Sequence, residues 1–180
     1  MMSRFPLLAV VLALFACGCG SDTPTTPTTT APPTRFVYTA TLSALNEIPA
    51  LAATNAEIGG RGQATITMNV TRDAAGAITA GTVDVLATFT GFPAGTVITA
   101  AHIHTGNSTT AGGVLVAMVP AAGEVTMPNG SGSYVKGGFA IGPPIDIANQ
   151  IIANPAGFYF NVHSPTNPGG AARGQLVLVP

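Results

Sequence analysis

Hydrophobic and polar residues alternate along most of the chain from residue 36 onward. The alternation is clearest over residues 62–71, where apolar residues are separated by threonines and amides. The apolar set is Ala64, Ile66, Met68 and Val70. A period of two with one apolar face predicts a β-strand that packs that face on a core and exposes the other to water. A turn at residues 73–76, before a second alternating run, predicts a β-hairpin.

Further alternating segments predict strands along the rest of the chain, and glycine and proline stand at nearly every junction between them. These segments are residues 36–44, 77–90, 96–105, 114–119, 133–141, 158–164 and 173–179. About seven to nine short strands with such spacing are typical of an all-β, antiparallel Greek-key sandwich or barrel. Both an immunoglobulin-like and a superoxide-dismutase-like arrangement fit this pattern.

One segment breaks the alternation and predicts a short helix over residues 146–153. Asp146 is a candidate N-cap, Ile147 and Ile151 fall on one face with Ile152, and Pro155 ends the pattern. We expect this helix to pack over an open end of the β-structure.

The N-terminus has the pattern of an export signal. Residues 1–16 combine a basic start with an apolar run that is shorter than the ~20 residues of a spanning helix. Leu14 and Ala16 before Cys17 resemble a bacterial lipobox, in which the cysteine receives a lipid, and Cys19 is the alternative site. The prediction is a protein of the cell envelope, anchored to the membrane through that lipid. Secretion after ordinary cleavage is the alternative.

Composition divides the remaining chain into a tether and one domain. Residues 17–34 are rich in threonine and proline and nearly free of charge, which predicts an extended tether. Residues 35–180 are long enough for a single domain and contain no cysteine, so neither a disulfide nor a cysteine nucleophile is available there. The chain has six Lys or Arg and seven Asp or Glu, a balance that disfavours nucleic-acid binding.

Four short motifs in this body, taken together and in order, resemble the CHRD domain, a module found in chordin and in exported bacterial proteins. They are residues 46–49 (NEIP), 101–106 (AHIHTG), 159–164 (YFNVHS) and 173–176 (RGQL). The chain departs from the family pattern at Ala50, where a second proline is frequent, and at Ala171, where a glutamate is frequent. The resemblance implies a β-rich extracellular module that binds a partner or has a structural role, without an established catalytic activity.

The three histidines of the chain all fall within these motifs. Alternation places His102 and His104 on one face of their strand and His163 on the less apolar face of a later strand. Histidines two residues apart on a strand can reach one ion, and a third imidazole would complete a copper or zinc site with an open fourth position. Glu47 and Asp84 are the candidate carboxylates for supporting such ligands. The alternative is that the imidazoles only hydrogen-bond to backbone or to Asn161.

Other kinds of site have less support. A looser likeness to copper-zinc superoxide dismutases fails on ligand number, since three histidines and a body without cysteine cannot supply that family's two-metal site and disulfide. Glu47 and Arg173 are predicted to form a structural ion pair that joins the two ends of the domain. No G-x-S-x-G segment supports a serine hydrolase. The sequence therefore favours a non-catalytic module for an envelope protein or glycan partner, with a copper- or zinc-binding protein of possible redox activity as the alternative.

Overall fold

The structure, a computed structural model, describes residues 31–142 and 145–180 and builds them mainly from β-strands. The strands are β1 (Arg35–Ser43), β2 (Arg61–Arg72), β3 (Ile78–Thr90), β4 (Thr96–Val97), β5 (Ala100–Thr105), β6 (Val114–Ala117), β7 (Thr126–Met127), β8 (Gly132–Ala140), β9 (Phe158–His163), β10 (Ala172–Gln175) and β11 (Val177–Leu178). One helix, α1, spans Asp146–Ala153, and two 3-10 turns span Ala44–Asn46 and Pro155–Gly157.

Eight of these strands follow one another in a single antiparallel sheet. Their order is β6, β5, β9, β10, β1, β2, β3, β8, with β11 pairing beside β1. The two edge strands of this order, β6 and β8, contact each other, so the sheet curls into a nearly closed barrel. The prediction of an all-β antiparallel fold is confirmed, and of its two variants the barrel is the one observed.

The β2–β3 hairpin forms where the alternation predicts it. The Asp73 carboxylate accepts hydrogen bonds from the backbone N–H groups of Ala75 and Ala77, and Gly76 takes a φ of 85° that closes the turn. The alternate apolar residues of β2 point into the barrel, where they pack against those of β1 and β3. The hairpin therefore forms one wall of the core.

Helix α1 has the predicted bounds but not the predicted cap. Ile145 occupies the N-cap position without a side-chain hydrogen bond, and Asp146 is the first helical residue. The Asp146 carboxylate accepts a hydrogen bond from the Gln150 side chain instead, so its prediction as the cap is wrong. Ile147 and Ile151 are buried as the helix packs against β3.

The segment predicted as one strand over residues 96–105 is two strands. The Ile98 N–H donates to the carbonyl oxygen of Val125, whereas the Thr99 N–H donates to the carbonyl oxygen of His163 at the end of β9. The chain thus changes partner between these residues, and the alternation shifts by one position: Ile98 is buried and Thr99 is exposed. The predicted strand 173–179 is likewise divided, into β10 and β11.

The predicted signal peptide (1–16), Cys17, Cys19 and most of the predicted tether (17–34) lie outside the described residues. Within residues 31–142 and 145–180, no helix is long and apolar enough to cross a membrane.

Candidate metal centre

The histidines lie on two neighbouring strands, β5 and β9. The antiparallel register pairs Ala100 with His163 and His102 with Asn161. The intervening residues, such as Ile103 and Val162, point into the barrel core. Residues paired across two strands share one face of the sheet, so all three imidazoles lie on the face opposite the core.

The three side chains converge. One nitrogen from each of His102, His104 and His163 lies within 4.8 Å of the others. The closest pair is His102 Nδ1 and His163 Nε2, at 3.0 Å. Donor nitrogens bound at ~2.0 Å to one tetrahedral ion would stand ~3.3 Å apart. The cluster is therefore within about 1.5 Å of the spacing that a single ion requires.

Backbone carbonyls fix two of the rings. His104 Nδ1 lies 3.1 Å from the Gly112 carbonyl oxygen, and His163 Nδ1 lies 3.1 Å from that of Pro168. A carbonyl only accepts, so each Nδ1 carries the proton and donates it. In the neutral ring this makes Nε2 the nitrogen that carries the lone pair in both His104 and His163.

The Nε2 atoms of His104 and His163 differ in their hydrogen bonding. His163 Nε2 accepts a hydrogen bond from His102 Nδ1. His104 Nε2 is buried and has no hydrogen-bond partner. An unpaired buried acceptor costs about 1–3 kcal/mol, so this atom marks the place where a partner is missing.

Burial keeps these imidazoles neutral. It lowers the pKa of His102 to about 4, with additional lowering from His163 and His104. Burial likewise lowers the pKa of His104 and of His163, although the hydrogen bonds to Gly112 and Pro168 oppose the shift. A neutral imidazole is the form that binds a metal ion. His104 and His163 are each 7% exposed while His102 is half-buried, so the cluster is open on the His102 side.

A stack of side chains holds His104 from behind. The ring of Tyr159 lies parallel to the His104 ring, with 4.9 Å between centroids. The Arg173 guanidinium covers the Tyr159 ring at 3.5 Å from its centroid. Arg173 in turn donates to the carbonyl oxygens of Asn107 and Thr110, which ties the loop of residues 106–113 over the sheet.

Glu47 and Arg173 do not form the predicted direct ion pair. Both are buried, but the one pair of opposite charges within 4.0 Å among the described residues is Lys136 with Glu124. The guanidinium instead donates to backbone carbonyls and to Gln175, while the Asn161 amide nitrogen lies beside the Glu47 carboxylate. Asn161 is a neighbour of both, because it pairs with Arg173 across β9 and β10 and its amide nitrogen lies beside the Glu47 carboxylate.

Asp84 is not a neighbour of the histidines. It lies on β3, where its carboxylate accepts from the Asn69 side chain and from the Gly138 backbone N–H. The groups that support His104 and His163 are the carbonyls of Gly112 and Pro168. Sequence reasoning missed both, since a backbone carbonyl has no residue-type signature.

A buried network fixes the loop that supplies Pro168. Glu57 Oε2 accepts from Ser164 Oγ at 2.6 Å and from Asn167 Nδ2 at 2.6 Å. Asn167 also exchanges hydrogen bonds with the Asn55 side chain. No sequence pattern pointed to Glu57, which lies more than 100 residues from this loop along the chain. Its carboxylate holds residues 164–167 beside His163.

Comparison with known proteins gives one match. Residues 38–176 match the family profile of the CHRD domain. Comparisons with curated proteins and with solved structures find no significant match. The matched residues include the three histidines, Asn161 and Arg173.

Proposed function

The chain belongs to the CHRD domain family, and on that premise we propose that it is an exported, lipid-anchored binding module that holds one copper or zinc ion on His102, His104 and His163. The observations that carry this proposal are the convergence of one nitrogen from each ring within 4.8 Å and the buried His104 Nε2, which has no hydrogen-bond partner. No catalytic role is proposed for the module.

The chemistry of the donors favours copper or zinc over harder ions. Imidazole nitrogen suits both, whereas magnesium and calcium prefer oxygen ligands. Cu²⁺ binds nitrogen ligands more tightly than Zn²⁺ does. The site is therefore expected to bind Cu²⁺ more tightly than Zn²⁺.

The hydrogen bonds also support a second function, a purely structural cluster. His163 is fully paired, through His102 and Pro168, and the ring of His104 is stacked on Tyr159. In that case the imidazoles would serve to hold the loops of residues 106–113 and 164–170 on the sheet. A metal titration separates the two functions, because only the metal site predicts ion binding that depends on the histidines.

Calorimetric titration of the metal-free full chain with Cu²⁺ and Zn²⁺ separates them. The proposal expects one ion per chain and a loss of at least about 10-fold in affinity in His163→Ala. The matched control is Tyr159→Phe, which keeps the ring on His104 and every nitrogen ligand, and should bind as the wild type does. Equal binding by the wild type and His163→Ala would leave only the structural function.

The lipid anchor rests on the sequence around Cys17. Labelling of cells with a palmitate analogue should mark the wild type and Cys19→Ala but not Cys17→Ala. Loss of label only in Cys19→Ala would move the anchor to that residue, and an unlabelled wild type would contradict the anchor. Such an anchor would place the domain at the cell envelope, where a protein or glycan partner is accessible to it.

A further inference from the structure

Two buried polar atoms without a hydrogen-bond partner belong to the face of β5 and β9 that carries the histidines, and a third belongs to Glu47 beside Asn161. Four such atoms occur among the described residues, and three of them are His104 Nε2, Asn161 Oδ1 and Glu47 Oε1. The fourth, Tyr38 Oη, belongs to a residue of the barrel core. Native proteins leave few buried polar groups unpaired, so the unpaired atoms of His104 and of Asn161, the register partner of His102, indicate that a ligand is missing on this face.

Asn161 lies between the histidines and the buried charges. Its register partners are His102 on β5 and Arg173 on β10, and its residue is 2% exposed. Side chains paired in this way have Cβ atoms about 4.5–5.5 Å apart. The Asn161 side chain is therefore a neighbour of the His102 imidazole on the same face of the sheet.

The orientation of that amide follows from its other neighbour. The amide nitrogen is the Asn161 atom that lies beside the Glu47 carboxylate, where it can donate a hydrogen bond. Gly170 backs both groups with a φ of 149°, and a Cβ there would collide with the Glu47 carboxylate and the Asn161 nitrogen. Glu47 thereby fixes the amide and leaves Asn161 Oδ1 as a free acceptor.

We infer that Asn161 Oδ1 accepts a hydrogen bond from a water or hydroxide bound at the fourth coordination position of the three-histidine site. The inference rests on the proposed metal binding and adds a ligand class to it. Three nitrogen ligands leave one position for an exchangeable ligand. An amide oxygen selects a ligand that carries a proton, such as water, hydroxide or hydroperoxide, over one without a proton, such as chloride. Glu47 is a positioning residue, because it acts through Asn161.

The test follows the visible absorption spectrum of the Co²⁺-loaded full chain as a function of pH. Deprotonation of a metal-bound water gives one spectral transition, near neutral pH in zinc sites of this type. Asn161→Asp adds a negative charge beside that water, and is expected to raise the midpoint by about one pH unit or to abolish the transition by direct coordination. Asn161→Leu removes the acceptor, and is expected to weaken Co²⁺ binding by about 10-fold and to displace the midpoint.

Two further variants complete the design. Glu47→Gln leaves Asn161 in place and removes a negative charge, so it should lower the midpoint pH of the spectral transition. If the Asn161 variants do not fold, this variant tests the role of Asn161. Asn46→Ala is the control, since its exposed amide donates only to the Arg173 carbonyl oxygen and should change neither quantity.

The outcomes separate this inference from the proposed function. Unchanged affinity and an unchanged midpoint in the Asn161 variants, or an unchanged midpoint in Glu47→Gln, would overturn the role of Asn161 while the three-histidine site stands. Failure of the wild-type chain to bind Co²⁺, Cu²⁺ or Zn²⁺ would overturn the metal site itself.

Discussion

Strands β2 and β9 show the same alternation in sequence but different surroundings. Along β2, buried residues alternate with partly or fully exposed ones, so one face meets the core and the other meets water. Along β9, all six residues are buried. Phe160 and Val162 face the core, while Asn161 and His163 face a second layer formed by the loops of residues 106–113 and 164–170.

The difference follows from the polar residues themselves. On β2 they are mainly threonines and amides, which remain hydrated at little cost. On β9 they are a tyrosine, an asparagine and a histidine, whose rings and amide hold loops through hydrogen bonds and stacking. A polar face of that kind can be buried only when its groups are paired, and this is where the unpaired His104 Nε2 stands out.

The largest expected effect comes from Arg173, which is 1% exposed. Arg173→Ala removes its hydrogen bonds to Asn107 and Thr110 and leaves Glu47 buried near no positive charge. We expect a loss of about 3–5 kcal/mol in the free energy of unfolding, measured by urea denaturation. Lys136→Ala breaks the exposed Lys136–Glu124 pair and should cost at most about 1 kcal/mol. Equal losses would contradict the contrast between the two faces.

Glu57 gives the next largest effect. Glu57→Ala leaves Ser164 Oγ and Asn167 Nδ2 without their acceptor, and we expect a loss of about 2–3 kcal/mol by the same measurement. The control is Gln63→Ala, which removes an exposed hydrogen bond to Thr41 on the open face and should change stability by less than about 0.5 kcal/mol. A Glu57 variant as stable as this control would show that the loop needs no such support.

Acid should destabilise the metal-free chain because its three histidines resist protonation in the folded state. The pKa of His102 falls to about 4 in the fold, and those of His104 and His163 are also lowered. The unfolded chain therefore binds protons first as pH falls from about 7 to 4, and the free energy of unfolding falls with it, by about 1.4 kcal/mol per pH unit for each net proton.

Glu47 acts in the opposite direction. Burial raises its pKa to about 7, so the folded chain binds this proton before the unfolded one and gains stability as pH falls from about 7 to 4.5. The lowered pKa values of three histidines outweigh the raised pKa of one glutamate, so the wild type loses stability on acidification. Glu47→Gln should make this fall in the free energy of unfolding steeper. Urea denaturation at pH 7.5 and pH 5 measures both slopes. Higher stability of the wild type at pH 5 would contradict the buried, neutral histidines.

The smallest expected effect is on the open face. Leu86 on β3 is 52% exposed, and Leu86→Thr should change the free energy of unfolding by less than about 0.5 kcal/mol. Val162→Thr makes a similar change on the core face of β9, where it introduces an unpaired hydroxyl and should cost about 1–3 kcal/mol. Comparable effects at the two positions would remove the distinction between open and buried faces.

Much of the fold could be predicted from the alternation alone. The β2–β3 hairpin and helix α1 fall where the pattern predicts them, because one face of each element meets the core and the other meets water. The division of residues 96–105 into β4 and β5 could not be predicted, since it depends on the change of partner from Val125 to His163.

The site could be predicted only in part. Alternation placed His102, His104 and His163 on the faces opposite the core, and the register of β5 with β9 brings them together. It could not predict their burial, because the loops of residues 106–113 and 164–170 fold over them only through contacts with Arg173 and Glu57, which are distant in sequence. The direct Glu47–Arg173 pair is absent for a related reason: the guanidinium donates to the carbonyl oxygens of the 106–113 loop and to Gln175 instead.

X-ray absorption spectroscopy of the full chain loaded with one Cu²⁺ or Zn²⁺ tests the metal site most directly. The wild type should show three imidazole nitrogens at ~2.0 Å from the ion. His102→Ala should show two, because His104 and His163 keep the carbonyl hydrogen bonds that orient them. An ion with fewer than two imidazole ligands in the wild type, or an identical spectrum in His102→Ala, would contradict the three-histidine site.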